Sequence, residues 1–242
     1  MEYQEQYQAY LAQAMTALDA ACARFLPETS EVCRAARYSL LGGGKRIRAV
    51  LVLSVCEMLG GDPQAAQAFA AAVEMLHCYS LIHDDLPCMD NDDLRRGRPS
   101  CHKAFGEATA MLAGDVLLTE AFEVIANAPA APQACVRAAR ALGAGAGSCG
   151  MVYGQELDLK YEALAASEEQ LRQIHRNKTG ALINAAVQMG AAAADADPRQ
   201  CEALEAYAYG LGLVFQIVDD VLDVSSWASP LAAMLKTAKQ PL

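Results

Sequence analysis

Between residues 81 and 99 the chain reads LIHDDLPCMDNDDLRRGRP, with Asp84, Asp85, Asp90, Asp92 and Asp93 crowded together and Arg95, Arg96 and Arg98 directly after them. Carboxylates at this density repel one another unless something cationic lies between them. A second acidic segment, FQIVDDVLD, has a simpler geometry. On a helix turning about 100° per residue, Gln216, Asp219, Asp220 and Asp223 fall on one stripe two turns long, with apolar residues elsewhere. Ionised groups on such a helix cost several kcal/mol each, roughly, if buried unpaired, so they should line a wet cavity or hold a metal. Hard oxygen donors select Mg²⁺, with Mn²⁺ or Ca²⁺ as substitutes.

Asp84 and Asp90 would diverge by about 120° on an unbroken helix. Pro87 lies between them, and its ring should kink or loosen the helix so that the two carboxylates converge. His77 lies two turns before Asp84 on nearly the same face, and Ser80 one turn before it, with Tyr79 alongside. The arginines extend the same logic. Carboxylates recruit a divalent cation, the cation recruits a diphosphate, and Arg95 and Arg96 bind the remaining phosphate oxygens in bidentate fashion. GGGKRIR at 42–48 offers another cationic site, Lys45, Arg46 and Arg48, behind glycines that admit phosphate to the backbone. NKTG adds Lys178 and Thr179.

Helices must position these groups. The composition is 54% hydrophobic but only 6% aromatic, an alanine-rich apolar fraction that favours helix over sheet. Helical periodicity runs through nearly all 242 residues, and no sheet is evident. Asp62-Pro63 and Asp197-Pro198 each place a capping carboxylate before a proline at the first helical position, and both helices lead into an aspartate cluster. Ser167 with Gln170 forms a capping box ahead of a helix carrying HRNKTGALINAAV. The glycines of GAGAGSCGMVYGQELDL weaken a helix, so close backbone packing should require them. No linker marks a boundary, and the expected architecture is one all-α domain over residues 1–242.

A net charge of −10 argues against binding nucleic acid or anionic membranes. The nine cysteines are odd in number and lack metal-site spacing, which suits reduced core residues in a cytoplasmic protein. His83, His102 and His175 accordingly make no zinc site. The amino terminus lacks a signal sequence, and no uninterrupted apolar run reaches the roughly 18 residues of a membrane span. GAGAGSCG imitates a dinucleotide loop, but no strand precedes it. Asp92 and Asp93 could be no more than a solvated face, and His77 alone could be a core histidine.

Taken in order, GGGKRIR, SLIHDDLPCMDNDDLRRGRP, HKAFGEATAMLAGDVLLTEAF, GMVYGQELDL, NKTGALINAAV and FQIVDDVLDV resemble the trans-isoprenyl diphosphate synthases, or polyprenyl synthetases, of the bacterial farnesyl diphosphate synthase type. The resemblance covers most of residues 35–225. It implies long helices around a deep central cavity, usually in a homodimer, and head-to-tail condensation of isopentenyl diphosphate with dimethylallyl or geranyl diphosphate. It implies that Asp84, Asp90 and Asp219 ligate a three-ion Mg²⁺ cluster, with Asp85, Asp220 and Asp223 nearby. Lys45, Arg48, His77 and Arg96 would hold isopentenyl diphosphate, and Arg95, Lys178, Thr179 and Gln216 the allylic substrate. Asp84, Asp90, Arg95, Lys178 and Asp219 would be catalytic.

Tyr79, five residues before Asp84 and beside the small Ser80, stands where the family pattern places a bulky aromatic that stops chain growth, favouring a C15 product. Geranyl or geranylgeranyl diphosphate synthesis is the alternative. After Val224 the sequence departs from the family. Relatives continue with a lysine-bearing loop and further helices, for which Lys236 in LKTAK is the best stand-in and the shortened end the expectation. That departure keeps open a non-catalytic or regulatory subunit, and the carboxylates alone would also suit a simple divalent-cation or diphosphate-binding protein.

Overall fold

The computed structural model describes residues 2–161 and 166–237, from residue 219 onward as helix backbone only. Among the described residues eleven α-helices run from α1 (Tyr3–Phe25), α2 (Glu31–Leu40), α3 (Ile47–Met58) and α4 (Pro63–Asp84) through α5 (Cys101–Phe105), α6 (Glu107–Ala126), α7 (Pro132–Ala146) and α8 (Met151–Tyr161) to α9 (Glu168–Ile174), α10 (Ala181–Ala193) and α11 (Pro198–Thr237). The fold is all-α, as expected. Among the described residues the exception is a hairpin of two-residue strands, β1 (Leu94–Arg95) and β2 (Arg98–Pro99), closed by Gly97 at φ +75°. Period-two patterning cannot reveal a strand that short.

The helix starts follow the local chemistry read above. Asp62 accepts the Gln64 N–H at 2.9 Å with Pro63 at the first helical position, and Ser167 and Gln170 close a capping box. Asp197 and Gln200 close another at the start of α11, with both bonds 2.9 Å long. Such caps satisfy donors that the first helical turn leaves free, each worth about 1 kcal/mol.

α4 is the central helix, packed against α1, α3, α6 and α10. Its alanine-rich first half lets neighbours approach closely, and Phe69, Met75 and Leu76 are fully enclosed. Burying such a side chain contributes roughly 1.5–3 kcal/mol. α4 is long and apolar enough to cross a membrane, but it is a core helix, with 72% of its most apolar window buried. α10 completes the core against α3 and α7, burying Leu182 and Met189. On α11, Leu213, Val214, Ile217 and Val218 are exposed.

α4 ends at Asp84, before Pro87, with Asp85 as its C-cap. The proline therefore stops the helix rather than kinking it, since the residues ahead of a proline disfavour helical geometry. A tight turn follows, with Asn91 at φ +53°. The expected continuous helix from Ser167 is likewise interrupted, because His175–Gly180 forms a π-helical turn between α9 and α10.

Candidate active site

The turn after α4 accomplishes the convergence expected of Asp84 and Asp90. The Asp90 N–H donates to the Asp84 carbonyl at 2.8 Å, which fixes the two residues side by side. Asp84 is partly buried, and burial pushes its carboxyl up to about 6. Lys178 opposes that shift, and the Asp90 carboxylate reinforces it. Here is a carboxyl group short of positive charge, which a divalent cation would hold ionised.

Asp84 lines a cavity of about 330 Å³, within the range of small-molecule sites. α3 supplies Arg48, α4 supplies His77, Tyr79 and Ser80, α8 supplies Gln155, and the π turn supplies Lys178 and Thr179. Residues far apart in sequence thus meet as the family resemblance implied. Arg48 Nε, His77 Nδ1 and Gln155 Nε2 are buried without a hydrogen-bond partner. Buried polar atoms normally have partners, so three orphans in one cavity wall point to a polar ligand.

Burial, with Arg48 and Arg96 close by, depresses His77 well below the usual imidazole range, so the ring is neutral near pH 7. Burial also pulls Arg48 down, against the attraction of Glu74. Tyr79 is a buried part of the cavity wall, its phenol raised by burial and by Asp84. The Ser80 hydroxyl turns back to donate to the His77 carbonyl at 2.9 Å and leaves Tyr79 as the bulky group there.

The π turn places Lys178 and Thr179 on the cavity together. Lys178 donates to Asp158 of α8, and the Thr179 hydroxyl donates to Gln216 Oε1 of α11. Gly154 permits this approach. A Cβ built there would lie 2.1 Å from the Lys178 backbone nitrogen, a distance no side chain tolerates. Gly145, Gly150 and Gly154 thus serve close backbone packing, as expected, whereas Gly143 has room for a side chain.

The second cationic flank forms beside the cavity. Arg96, in left-handed conformation at φ +54°, donates to the Gly43 carbonyl, and its guanidinium lies against Gly44, itself at φ +117°. Tyr38 ties the hairpin to α2 through a 2.9 Å bond to the Pro99 carbonyl, with Arg98 over its ring at 4.2 Å. GGGK and RRGRP therefore meet in space. Lys45 stands on it, exposed, with its carbonyl accepting the Tyr7 hydroxyl.

Three of the expected site residues have partners within the chain. Asp85, expected near the metal ions, is buried and turned to Arg95, which grips both its oxygens. Arg95, expected on the allylic diphosphate, carries Asp85 and Asp92 together. A guanidinium that closely paired is charge-compensated within the protein. Arg46, counted among the phosphate-binding cations, is buried 3.4 Å from Glu74 and donates to the Leu40 carbonyl. Asp93 pairs with Lys103 at 2.8 Å.

The side chains of Asp219, Asp220, Asp223 and Lys236 lie outside the described residues, although α11 carries their backbone. Among the described residues no group of three or more His, Cys, Asp or Glu side chains is placed to hold a metal. Asp84 and Asp90 nevertheless suit Mg²⁺, which takes one or two carboxylates and completes its shell with water and substrate phosphates. Gln155 and Asp158 were missed in the sequence. Their three-residue spacing on α8 was the available sign that both face one side.

The helical bundle, with Asp84 on the wall of a partly apolar cavity and Asp90 beside it in the following turn, defines an isoprenoid synthase architecture. Residues 29–232 match the polyprenyl synthetase family, and the chain belongs to it. It is 46% identical over 224 residues to the heterodimeric geranylgeranyl pyrophosphate synthase large subunit 1, chloroplastic, of Arabidopsis thaliana, covering 90% of this chain and 60% of that one. It is 45% identical over 221 residues to the farnesyl diphosphate synthase of Geobacillus stearothermophilus, covering 89% and 74%. A geranyltransferase from Legionella pneumophila superimposes with a TM-score of 0.87 at 42% identity, covering 92% of this chain and 80% of that one. The chain spans about six-tenths of the length of the plant relatives it matches, 60% and 57% for two of them.

Proposed function

We propose that this protein is a Mg²⁺-dependent short-chain trans-prenyltransferase that condenses isopentenyl diphosphate with dimethylallyl and geranyl diphosphate, giving farnesyl diphosphate. The observation that carries this reading is that Asp84, Lys178, Thr179 and Tyr79 wall one cavity of about 330 Å³, which brings charged side chains and an aromatic ring to one space. Asp84 and Asp90, with Asp219 and Asp223 of α11, would hold Mg²⁺, which when bound would supply positive charge for the diphosphate leaving group. Every other task falls to the chain's own residues.

Lys178, braced by Asp158, offers positive charge to the departing diphosphate at the mouth. Arg48 and neutral His77 offer hydrogen bonds to the diphosphate of the second substrate, and Gln155 supplies another unpaired donor. Lys45 and Arg96 sit on the flank from which that substrate would enter. The apolar wall keeps water from the allylic cation formed when the C–O bond breaks. The double bond of isopentenyl diphosphate then attacks that cation, and a proton is lost to the released diphosphate. Such catalysis rests on positioning and electrostatics, so it needs no side-chain general base.

Tyr79 supports the C15 assignment, because the buried phenol blocks the growing chain. A second reading, geranylgeranyl diphosphate synthesis, is favoured by the names of the plant relatives. Labelled isopentenyl diphosphate, incubated with dimethylallyl, geranyl or farnesyl diphosphate and MgCl₂, separates the readings once products are sized by chromatography. C15 alcohol after phosphatase treatment supports farnesyl synthesis, and C20 supports the second reading. Diphosphate binding without product would refute both in favour of a non-catalytic subunit.

A further inference from the structure

His83 lies on the wall of the same cavity, yet the chemistry above gives it no part. It follows Tyr79 by one helical turn, and their rings meet edge to face, with centroids 5.6 Å apart and planes at 84°. The far side of the imidazole is anchored to α6. His83 Nε2 stands 2.9 Å from the Met111 carbonyl oxygen, which makes this nitrogen the protonated donor, and 3.9 Å from Asp115 Oδ1. Gly114 makes room for the ring, since a Cβ there would fall 2.0 Å from Nε2 and 2.4 Å from Cδ2.

We propose that His83, seated on Gly114 and tethered to the Met111 carbonyl, is a positioning residue that holds Tyr79 in place and thereby sets product length. This inference rests on Tyr79 acting as the floor. A phenol ring on a helix has two rotatable side-chain bonds, and a prenyl chain pressing on it can turn it aside. Among the described residues Tyr79 makes no side-chain hydrogen bond that would resist this, whereas the His83 ring stands against it at right angles. The carbonyl and the missing Cβ on α6 fix where that edge stands. The floor is therefore built by two helices, with α6 contributing through backbone rather than through a side chain.

The test measures products and binding for wild type, Tyr79→Ala, His83→Ala, His83→Leu, Gly114→Ala and the Tyr79→Ala/His83→Ala double variant. The C20-to-C15 product ratio is read alongside the relative affinity for geranylgeranyl and farnesyl diphosphate by calorimetry. Loss of the edge-to-face contact is expected to raise both ratios by up to about tenfold in the His83 variants. Gly114→Ala, which leaves both cavity residues in the sequence and displaces only the imidazole, is expected to shift them too. His83→Ala should add nothing once Tyr79 is alanine, whereas a general packing defect would lower turnover without moving the ratios. If His83→Ala is recovered unfolded, His83→Leu and Gly114→Ala decide. Tyr79→Ala with unchanged ratios would end the floor reading itself. Longer chains from Tyr79→Ala, with wild-type ratios from the folded His83 and Gly114 variants, would overturn this inference alone. The calorimetric ratio is available even from a protein that does not turn over.

Discussion

Replacing Glu74 by leucine tests how the first cationic loop is held. Glu74 and Arg46 have side chains 2% exposed, 3.4 Å apart. Glu74 also accepts the Ala49 N–H at 3.1 Å, and Arg46 Nε has no partner, so the pair has little to spare. Without Glu74, Arg46 becomes a buried uncompensated charge and Ala49 loses an acceptor. Breaking a buried pair from one side costs about 3–5 kcal/mol, a large share of the roughly 5–15 kcal/mol that stabilises a folded domain. For a chain of 242 residues that corresponds to a melting temperature lower by roughly 10 °C. Urea unfolding at pH 7 measures the loss. Arg46→Met/Glu74→Leu, with both charges gone, is expected to recover most of it, because well-packed apolar replacements of a buried pair are near neutral. A single variant within about 1 kcal/mol of wild type would refute this account of the loop. The functional echo follows from Arg46 standing at φ +50° as the N-cap of α3, between Lys45 and Arg48.

Three further outcomes are expected. Asp84→Ala and Asp219→Ala should each lower turnover by at least about a hundredfold, and chelation of Mg²⁺ by EDTA should abolish it in wild type; wild-type rates in either variant would remove it from the metal set. Gly154→Ala should cost about 1–3 kcal/mol and reduce turnover together, because the new methyl meets the Lys178 backbone rather than a movable side chain; calorimetry and the product assay read both. His77 should make the protein acid-sensitive. Its folded-state pKa lies below the unfolded value of about 6.5, so the unfolded chain binds more protons, and the stability present above that pH is lost as pH falls through and below it. Urea midpoints between pH 5 and 8 should show this slope, and His77→Asn should flatten it.

Local signals in the chain proved legible because they are complete within a few residues. Asp62-Pro63 and Ser167 with Gln170 carry both halves of a cap, and the Tyr79, Ser80 and Asp84 register follows from helical spacing alone. Family motifs named Arg48, His77, Lys178 and Thr179, and the fold brings those four to one cavity. What could not be read depends on distant partners. Asp85 belongs to Arg95, ten residues on, because a hairpin too short for any periodicity folds the arginine back. Arg46 belongs to Glu74 across two helices, and no spacing rule links them. Gly114 answers to an imidazole on another helix, which nothing in its own neighbourhood of the chain announces.

The π turn at His175–Gly180 shifts the phase of the helix that contains it. It carries a residue beyond what an α-helix of the same length would use, so everything before it is rotated relative to everything after it, by about 100°. α10 can therefore keep its small residues against α3 and α7 while α9 follows a different azimuth, and Lys178 and Thr179 occupy the seam between the two settings. Removing any one residue of HRNKTG would leave composition almost untouched and bring the two settings into register. The lysine and threonine would then no longer look the same way.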